Sequence, residues 1–168
     1  RRLQIATASI SSQIAAYDSA LFLATKGTDK EWSTLSGFIT SQKQSVRLKL
    51  LSSAITSAEK SVRLSAITAL SREDGRKTID VILSMDPKSP DESETLDTIL
   101  YRLCGQLPTR QLFQDTSSRD LRLKRCAIDA LSKKSRTDKR LKRKFVPVLK
   151  TLSQDASDEI RASAIAGL

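Results

Sequence analysis

The residues best suited to do chemistry in this 168-residue chain are cations clustered between Arg119 and Lys150. That window holds 13 basic and three acidic residues, and it therefore carries the whole net charge of +10. Elsewhere 16 basic and 16 acidic residues cancel. A localised excess of positive charge indicates a partner of opposite sign. The predicted contacts to a polyanion or partner are Arg122, Arg125, Lys133, Lys134, Arg136, Lys139, Arg140, Lys142, Arg143 and Lys144.

A basic cluster of this density suits several kinds of partner. One is an acidic protein surface or peptide, and another is the phosphate backbone of DNA or RNA, which gives salt-sensitive binding with little sequence specificity. The run has no Tyr or Trp on which bases could stack. An anionic membrane surface is disfavoured because the apolar residues of the run are needed for a core. A solvated helix face without any partner is the remaining alternative.

Catalytic chemistry has little support in the sequence. Histidine is absent, no glycine-rich phosphate loop is present, and the two cysteines do not have a metal-ligand spacing. Residues 86–97 gather five carboxylates, but their spacing is not that of a calcium-binding loop. We therefore predict a protein that is not an enzyme, with no catalytic residue, metal site or cofactor.

The cysteines and the hydropathy pattern bear on the cellular compartment. Cys104 and Cys126 both fall on apolar helix faces, so we expect buried thiols in a reducing compartment, cytoplasmic or nuclear. No run of about 18 apolar residues is present, so no membrane span is predicted. The chain begins without Met and stops within a helical pattern. We expect it to be a fragment of a longer protein.

Apolar spacing predicts that helices position these residues, in an all-α fold. One helix has an especially clear start, with Ser89 as N-cap, Pro90 at the first position and Glu92 completing a capping box. Gly105 is predicted to end that helix. The other predicted helices cover residues 3–24, 29–40, 43–56, 59–72, 75–85, 108–114, 118–132, 138–153 and 157–168.

A nine-residue pattern recurs three times, as VRLSAITAL at 62–70, LKRCAIDAL at 123–131 and IRASAIAGL at 160–168. Each copy reads branched apolar, basic, two variable residues, Ala, Ile, one variable residue, Ala or Gly, and Leu. The alanine allows close helix approach, and the Ile and Leu form an apolar stripe. VRLKLLSSA at 46–54 shares only the opening of the pattern. Such helices bury both sides only when they stack, as in repeat proteins.

The pattern resembles the HEAT-repeat family, most closely over residues 138–168. There Pro147 stands at the family's proline position, Asp155 at the inter-helix turn, and Ile160 and Arg161 at its Val-Arg pair. The resemblance implies that Asp155 and Arg161 are structural and bridge neighbouring repeats. It also implies one domain over residues 1–168, an α-solenoid of about five antiparallel helix pairs in a right-handed superhelical stack. An armadillo-like or irregular helical array is the alternative.

If residues 119–150 form such helices, their apolar side chains belong to the core and their cations to a solvent-facing edge. Leu141, Phe145, Val148 and Leu152 form the predicted core stripe of one helix, and the cations around them face outward. The predicted turn before that helix holds Lys133, Lys134 and Arg136. We therefore expect a non-enzymatic helical-repeat scaffold that binds an acidic protein partner through a basic ridge at 119–150, or alternatively nucleic acid through the same ridge.

Overall fold

The structure, a computed structural model, describes residues 16–168, except for the side chain of Asp29. Within that range it contains helices and no strand, which confirms the all-α class. The predicted helix over 3–24 lies partly outside the described residues, and its described part is α1, residues 16–26. The others are α2 (Asp29–Ser41), α3 (Gln44–Ile55), α4 (Lys60–Leu70), α5 (Arg76–Leu83), α6 (Pro90–Gln106), α7 (Thr109–Asp115), α8 (Leu121–Ser135), α9 (Lys139–Leu152) and α10 (Asp158–Gly167).

The predicted N-cap and first-position proline of α6 are confirmed, but the reciprocal bond of the capping box goes to Lys88 in place of Ser89, and the predicted end is wrong. The Ser89 hydroxyl accepts from the Glu92 N–H at 3.4 Å, and the Glu92 carboxylate accepts from the Lys88 N–H at 2.8 Å. Gly105 lies inside the helix, which ends one residue later. Its φ is not positive, so it does not make the left-handed turn with which glycine usually ends a helix.

The chain divides into two compact units, Arg1–Glu73 and Asp74–Leu168. In the first, α2, α3 and α4 pack on one another around Leu35, Leu50 and Ile67, which are at most 5% exposed. Gly27 follows α1, and glycine is required there because a Cβ would lie 2.4 Å from the Leu23 carbonyl oxygen. The single domain and the α-solenoid with about five pairs in a right-handed stack stay predictions.

Helix α8 is the centre of the second unit, where it contacts α6, α7, α9 and α10. Its buried face includes Leu123, Ala127, Ile128 and Leu131, none more than 3% exposed. On α9 the predicted stripe is nearly correct, because Leu141, Phe145 and Leu152 are buried. Leu149 completes it in place of Val148, which is only half-buried. Phe145 meets Phe113 of α7 edge-on, with ring centroids 6.0 Å apart.

The three copies of the nine-residue pattern share a buried start but not a buried end. In the first two copies the Ile and Leu of the pattern are fully buried. In the third, Ile160 and Ala164 are buried, whereas Ile165 and Leu168 are 62% and 51% exposed. The prediction of a core position is therefore wrong for these two residues, because no described helix covers that side of α10.

The three copies also share a turn that the nine-residue pattern does not include. In each copy, the residue five positions before the branched apolar residue accepts, through its side-chain oxygen, the backbone N–H two positions after itself. The Ser57 side chain accepts from Glu59 N–H at 3.2 Å, that of Ser118 from Asp120 N–H at 3.1 Å, and that of Asp155 from Ser157 N–H at 3.0 Å. The same local bond thus leads the chain into α4, α8 and α10.

The basic residue of the pattern stabilises this turn by hydrogen bonds in two of the three copies. The Arg63 guanidinium donates to the carbonyls of Ser57 and Ala58 at 3.0 and 2.8 Å. Arg161 donates to Asp155 and Ala156 in the equivalent way, at 2.8 and 3.0 Å. Each arginine therefore satisfies two turn carbonyls that precede its own helix.

The third basic residue makes a different contact. The Lys124 ammonium lies 3.1 Å from Asp155 Oδ2, and both side chains are largely buried. Asp155 therefore joins α8 to the turn before α10, and its role between neighbouring repeats stays a prediction. Arg161 does not bridge in the same way, because its contacts are to Asp158 and to its own turn.

Both cysteines are buried and unpaired by any disulfide, as expected. The neighbouring Cys104 thiol and then burial raise the pKa of Cys126. Cys126 therefore remains a protonated thiol at neutral pH and contributes to packing between α6 and α8.

The turn contacts of Arg63 predict a specific loss of stability. Arg63→Met keeps the apolar stem but leaves the Ser57 and Ala58 carbonyls without this donor, which we expect to cost about 1–3 kcal/mol of unfolding free energy. Arg72→Met is the matched control, since Arg72 is exposed and its side chain has no bonded partner among the described residues. Urea unfolding of both variants measures the difference, and equal losses would contradict this role.

The Asp155 contacts predict a pH-dependent loss. The Ser157 N–H and the Lys124 ammonium lower the pKa of Asp155. A carboxylate whose pKa is lowered in the folded state stabilises the protein at pH values above its unfolded pKa of about 3.9. That stabilisation is lost as the pH falls through the pKa of the folded state. Asp155→Asn should therefore destabilise the protein at pH 7 by more than at pH 3 in urea unfolding. An equal deficit at both pH values would contradict the charge contribution.

Candidate anion-binding surface

The ten predicted contact residues lie on two consecutive helices and the junction between them. Arg122, Arg125, Lys133 and Lys134 belong to α8, and Arg136 is its C-cap. The other five lie on the first six residues of α9. The prediction that Lys133 and Lys134 lie in the turn is wrong, because α8 continues to Ser135. Both lysines instead form part of its last helical turn.

Two of the ten are engaged in contacts within the fold. The Arg122 Nε donates to Asp97 Oδ1 at 3.0 Å. Arg125 covers the Tyr101 ring at 5.6 Å, donates to its hydroxyl at 3.0 Å, and lies 3.6 Å from Glu159. Both arginines thus tie α8 to α6. Sequence reasoning missed these contacts because the partners on α6 lie about 25 residues away along the chain, with no local spacing to reveal them.

The remaining eight cations form a continuous basic edge. Lys134 is half-buried, the other seven are exposed, and none has an ion-pair partner among residues 16–168. The acid among them, Asp138, is occupied as the N-cap of α9, where it accepts from Arg140 N–H at 2.8 Å and Leu141 N–H at 3.1 Å. The basic edge comprises Lys133, Lys134, Arg136, Lys139, Arg140, Lys142, Arg143 and Lys144.

Helix ends act differently on the two halves of the basic edge. Lys133 and Lys134 lie in the last turn of α8, where the partial negative charge of the helix end favours cations. Lys139 and Arg140 lie in the first turn of α9, where the partial positive charge disfavours them. Asp138 offsets part of this repulsion. The α9 half of the basic edge therefore has no electrostatic explanation within its own helix.

Two open grooves border the basic edge. The larger, about 920 Å³, lies between the C-terminal halves of α6 and α8, and Lys133, Lys134 and Arg136 line it. The smaller, about 410 Å³, lies between α7 and α9. Its walls carry Arg140 and Lys144, with Phe113 and Leu141 as apolar neighbours. The basic edge is therefore not a flat face, because a groove lies at each of its ends.

A hydrogen-bonded cluster forms one end of the larger groove. The Tyr101 hydroxyl donates to Asp129 Oδ2 at 2.7 Å and accepts from Arg125 Nε at 3.0 Å. Burial, then the bond to Asp129, raises the pKa of Tyr101 to about 12. The phenol remains neutral at physiological pH, and it holds Asp129 and Arg125 in a fixed arrangement.

The acidic segment at 86–97 does not form a separate site. Glu92 is 1% exposed and serves the start of α6, while Asp97 pairs with Arg122. Among residues 16–168 no group of three or more potential ligands has the arrangement to hold a metal ion. In the same range, no helix combines the length and apolar character required to cross a bilayer.

Comparisons with protein-family models, with curated proteins and with solved structures find no match for this chain.

The Tyr101 cluster predicts that the phenol of Tyr101 ionises only at high pH. Tyr101 should ionise near pH 12, because burial and the bond to Asp129 favour the neutral phenol. Asp129→Asn removes the negative charge, so the Tyr101 titration should move to lower pH. Tyrosinate absorbance near 295 nm measures both, and Tyr101→Phe identifies the signal by removing it. A Tyr101 transition that Asp129→Asn leaves in place would contradict the cluster.

Proposed function

We propose that this chain is a non-enzymatic helical-repeat scaffold of the α-solenoid type, which binds an acidic protein segment through the basic edge. The observation that carries the proposal is the set of eight cations within residues 133–144 that have no ion-pair partner among the described residues. Arg122 and Arg125, by contrast, contact α6 and lie outside the basic edge.

The position of the unpaired charges supports binding rather than solubility alone. Cations that serve the fold have a partner within it, since Lys124 pairs with Asp155 and Arg47 with Glu73, and Arg63 donates to turn carbonyls. The basic edge lacks such partners within residues 16–168, and its α9 half lies against an unfavourable helix end. A negatively charged partner would offset this repulsion, which gives the cluster a physical reason that folding does not supply.

A protein partner is favoured over nucleic acid by the concave, partly apolar surroundings of the basic edge. The smaller groove places Phe113 and Leu141 beside Arg140 and Lys144. A phosphate backbone needs cations but gains little from apolar neighbours, whereas protein interfaces combine an apolar centre with a charged rim. Repeat scaffolds commonly present extended surfaces of this kind to other proteins.

Charge reversal on α9 tests the proposal. We expect Arg140→Glu, Arg143→Glu and Lys144→Glu together to weaken binding to a fluorescein-labelled Glu-rich peptide by at least about tenfold, because attraction becomes repulsion. Fluorescence anisotropy gives the affinity, and circular dichroism should show an intact fold because all three side chains are exposed.

The matched control reverses three exposed lysines in the first unit, Lys30, Lys43 and Lys49, which gives the same net charge. Equal losses in both triple variants would show a general charge effect and would contradict a site on α9. The same titrations with duplex DNA, at about 50 and 200 mM salt, test the alternative partner. Tighter binding to DNA than to the peptide would replace the proposed protein partner with nucleic acid.

A further inference from the structure

The larger groove has walls of two different chemical kinds. On one side, Tyr101 and Gly105 of α6 and Ala130 of α8 give it an apolar floor. On the other, Lys133 and Lys134 of α8 and Arg136 beyond it give it a basic rim. A surface for charge alone would need only the rim, so the floor requires its own explanation.

The two acids near this groove form no ion pair with the rim. Asp129, which lines the groove, accepts the Tyr101 hydroxyl at 2.7 Å. Asp74 lies 3.0 Å from Arg102 on the opposite wall. Lys133, Lys134 and Arg136 have no ion pair in the described part of the chain. The rim is therefore available to a negatively charged occupant.

Gly105 is an exposed glycine in the floor of the groove. It lies within α6 with a φ that is not positive, and a Cβ at this position would meet no atom within 4 Å. Neither backbone conformation nor packing therefore requires glycine here, although glycine weakens a helix relative to alanine. Because Gly105 lines the groove, its missing side chain leaves the floor open at that point.

We propose that this groove binds an acidic peptide segment that inserts one bulky apolar side chain over Gly105 and Ala130. The carboxylates of the segment pair with Lys133, Lys134 and Arg136, and the apolar side chain covers the floor. This inference rests on the proposed function, and it adds the composition of the partner and the place where the partner is anchored. Charge complementarity at the rim selects an acidic segment over a neutral one.

Two labelled peptides of equal length and charge separate this inference from binding by charge alone. Both are built from Glu and Gly, one with a central Trp and the other with a central Ser. We expect the Trp peptide to bind the unmodified protein at least about tenfold more tightly, since burial of one large apolar side chain has that effect. Fluorescence anisotropy at fixed salt gives both affinities.

Gly105→Leu tests the location, because the leucine would fill the floor while favouring the helix. We expect it to remove most of the preference for Trp and to leave binding of the Ser peptide unchanged. Gly37→Leu is the matched control, since Gly37 is also a helical glycine at which an added Cβ would meet no atom within 4 Å, and it lies on α2 in the other unit. This control should retain the full preference.

The outcomes separate the two proposals. Equal affinities for the Trp and Ser peptides, or a Trp preference that survives Gly105→Leu, would overturn the apolar anchor and leave the proposed function standing. Failure of the protein to bind either peptide would overturn the proposed function itself. The double variant Lys133→Glu, Lys134→Glu should weaken the binding of both peptides by at least about tenfold. Unchanged affinities would contradict the proposal that the rim contacts the peptide.

Discussion

The packing of α8 against four other helices is the constraint on which the second unit depends. One helix can touch α6, α7, α9 and α10 only if much of its circumference is apolar or small, as Leu123, Ala127, Ile128 and Leu131 are. Ala127 permits the close approach that a larger side chain would prevent. Polar residues of α8 are consequently confined to the remaining strip. Arg122 and Arg125 reach across to α6, and Lys124 contacts Asp155. The remaining cations of the helix, Lys133 and Lys134, lie in its last turn.

The turns before α4, α8 and α10 show how one replacement redistributes contacts. An arginine at the second position of the pattern has the length and the paired N–H groups to satisfy two carbonyls of its own turn. Lysine at position 124 has a single ammonium and contacts Asp155 instead. The α8 turn therefore lacks the arginine contact seen before the other two helices. In exchange, α8 gains a largely buried ion pair with the turn before α10.

Local rules predicted most helices and much of the core, because periodicity and capping depend on residues three or four apart. The Ser89–Pro90 start and the Leu141–Phe145 stripe are of this kind. The errors came from long-range contacts. Sequence reasoning assigned Arg122 and Arg125 to solvent because their partners on α6 depend on how the helices pack. The exposure of Ile165 likewise depends on which helices lie nearby. The groove beside Gly105 was missed since concave surface has no sequence period.

The division of the cations into paired and unpaired groups bears directly on function. Stability explains Lys124, Arg122 and Arg125, because each contacts a named partner within the unit. It does not explain the basic edge, whose side chains neither pack in the core nor pair within the described part of the chain, and which repel one another across a short stretch. On the α9 half of the basic edge, neutral helix-forming residues would avoid the unfavourable helix end. These unpaired charges border the two grooves, so the cluster that folding does not explain lies beside concave surface of the second unit.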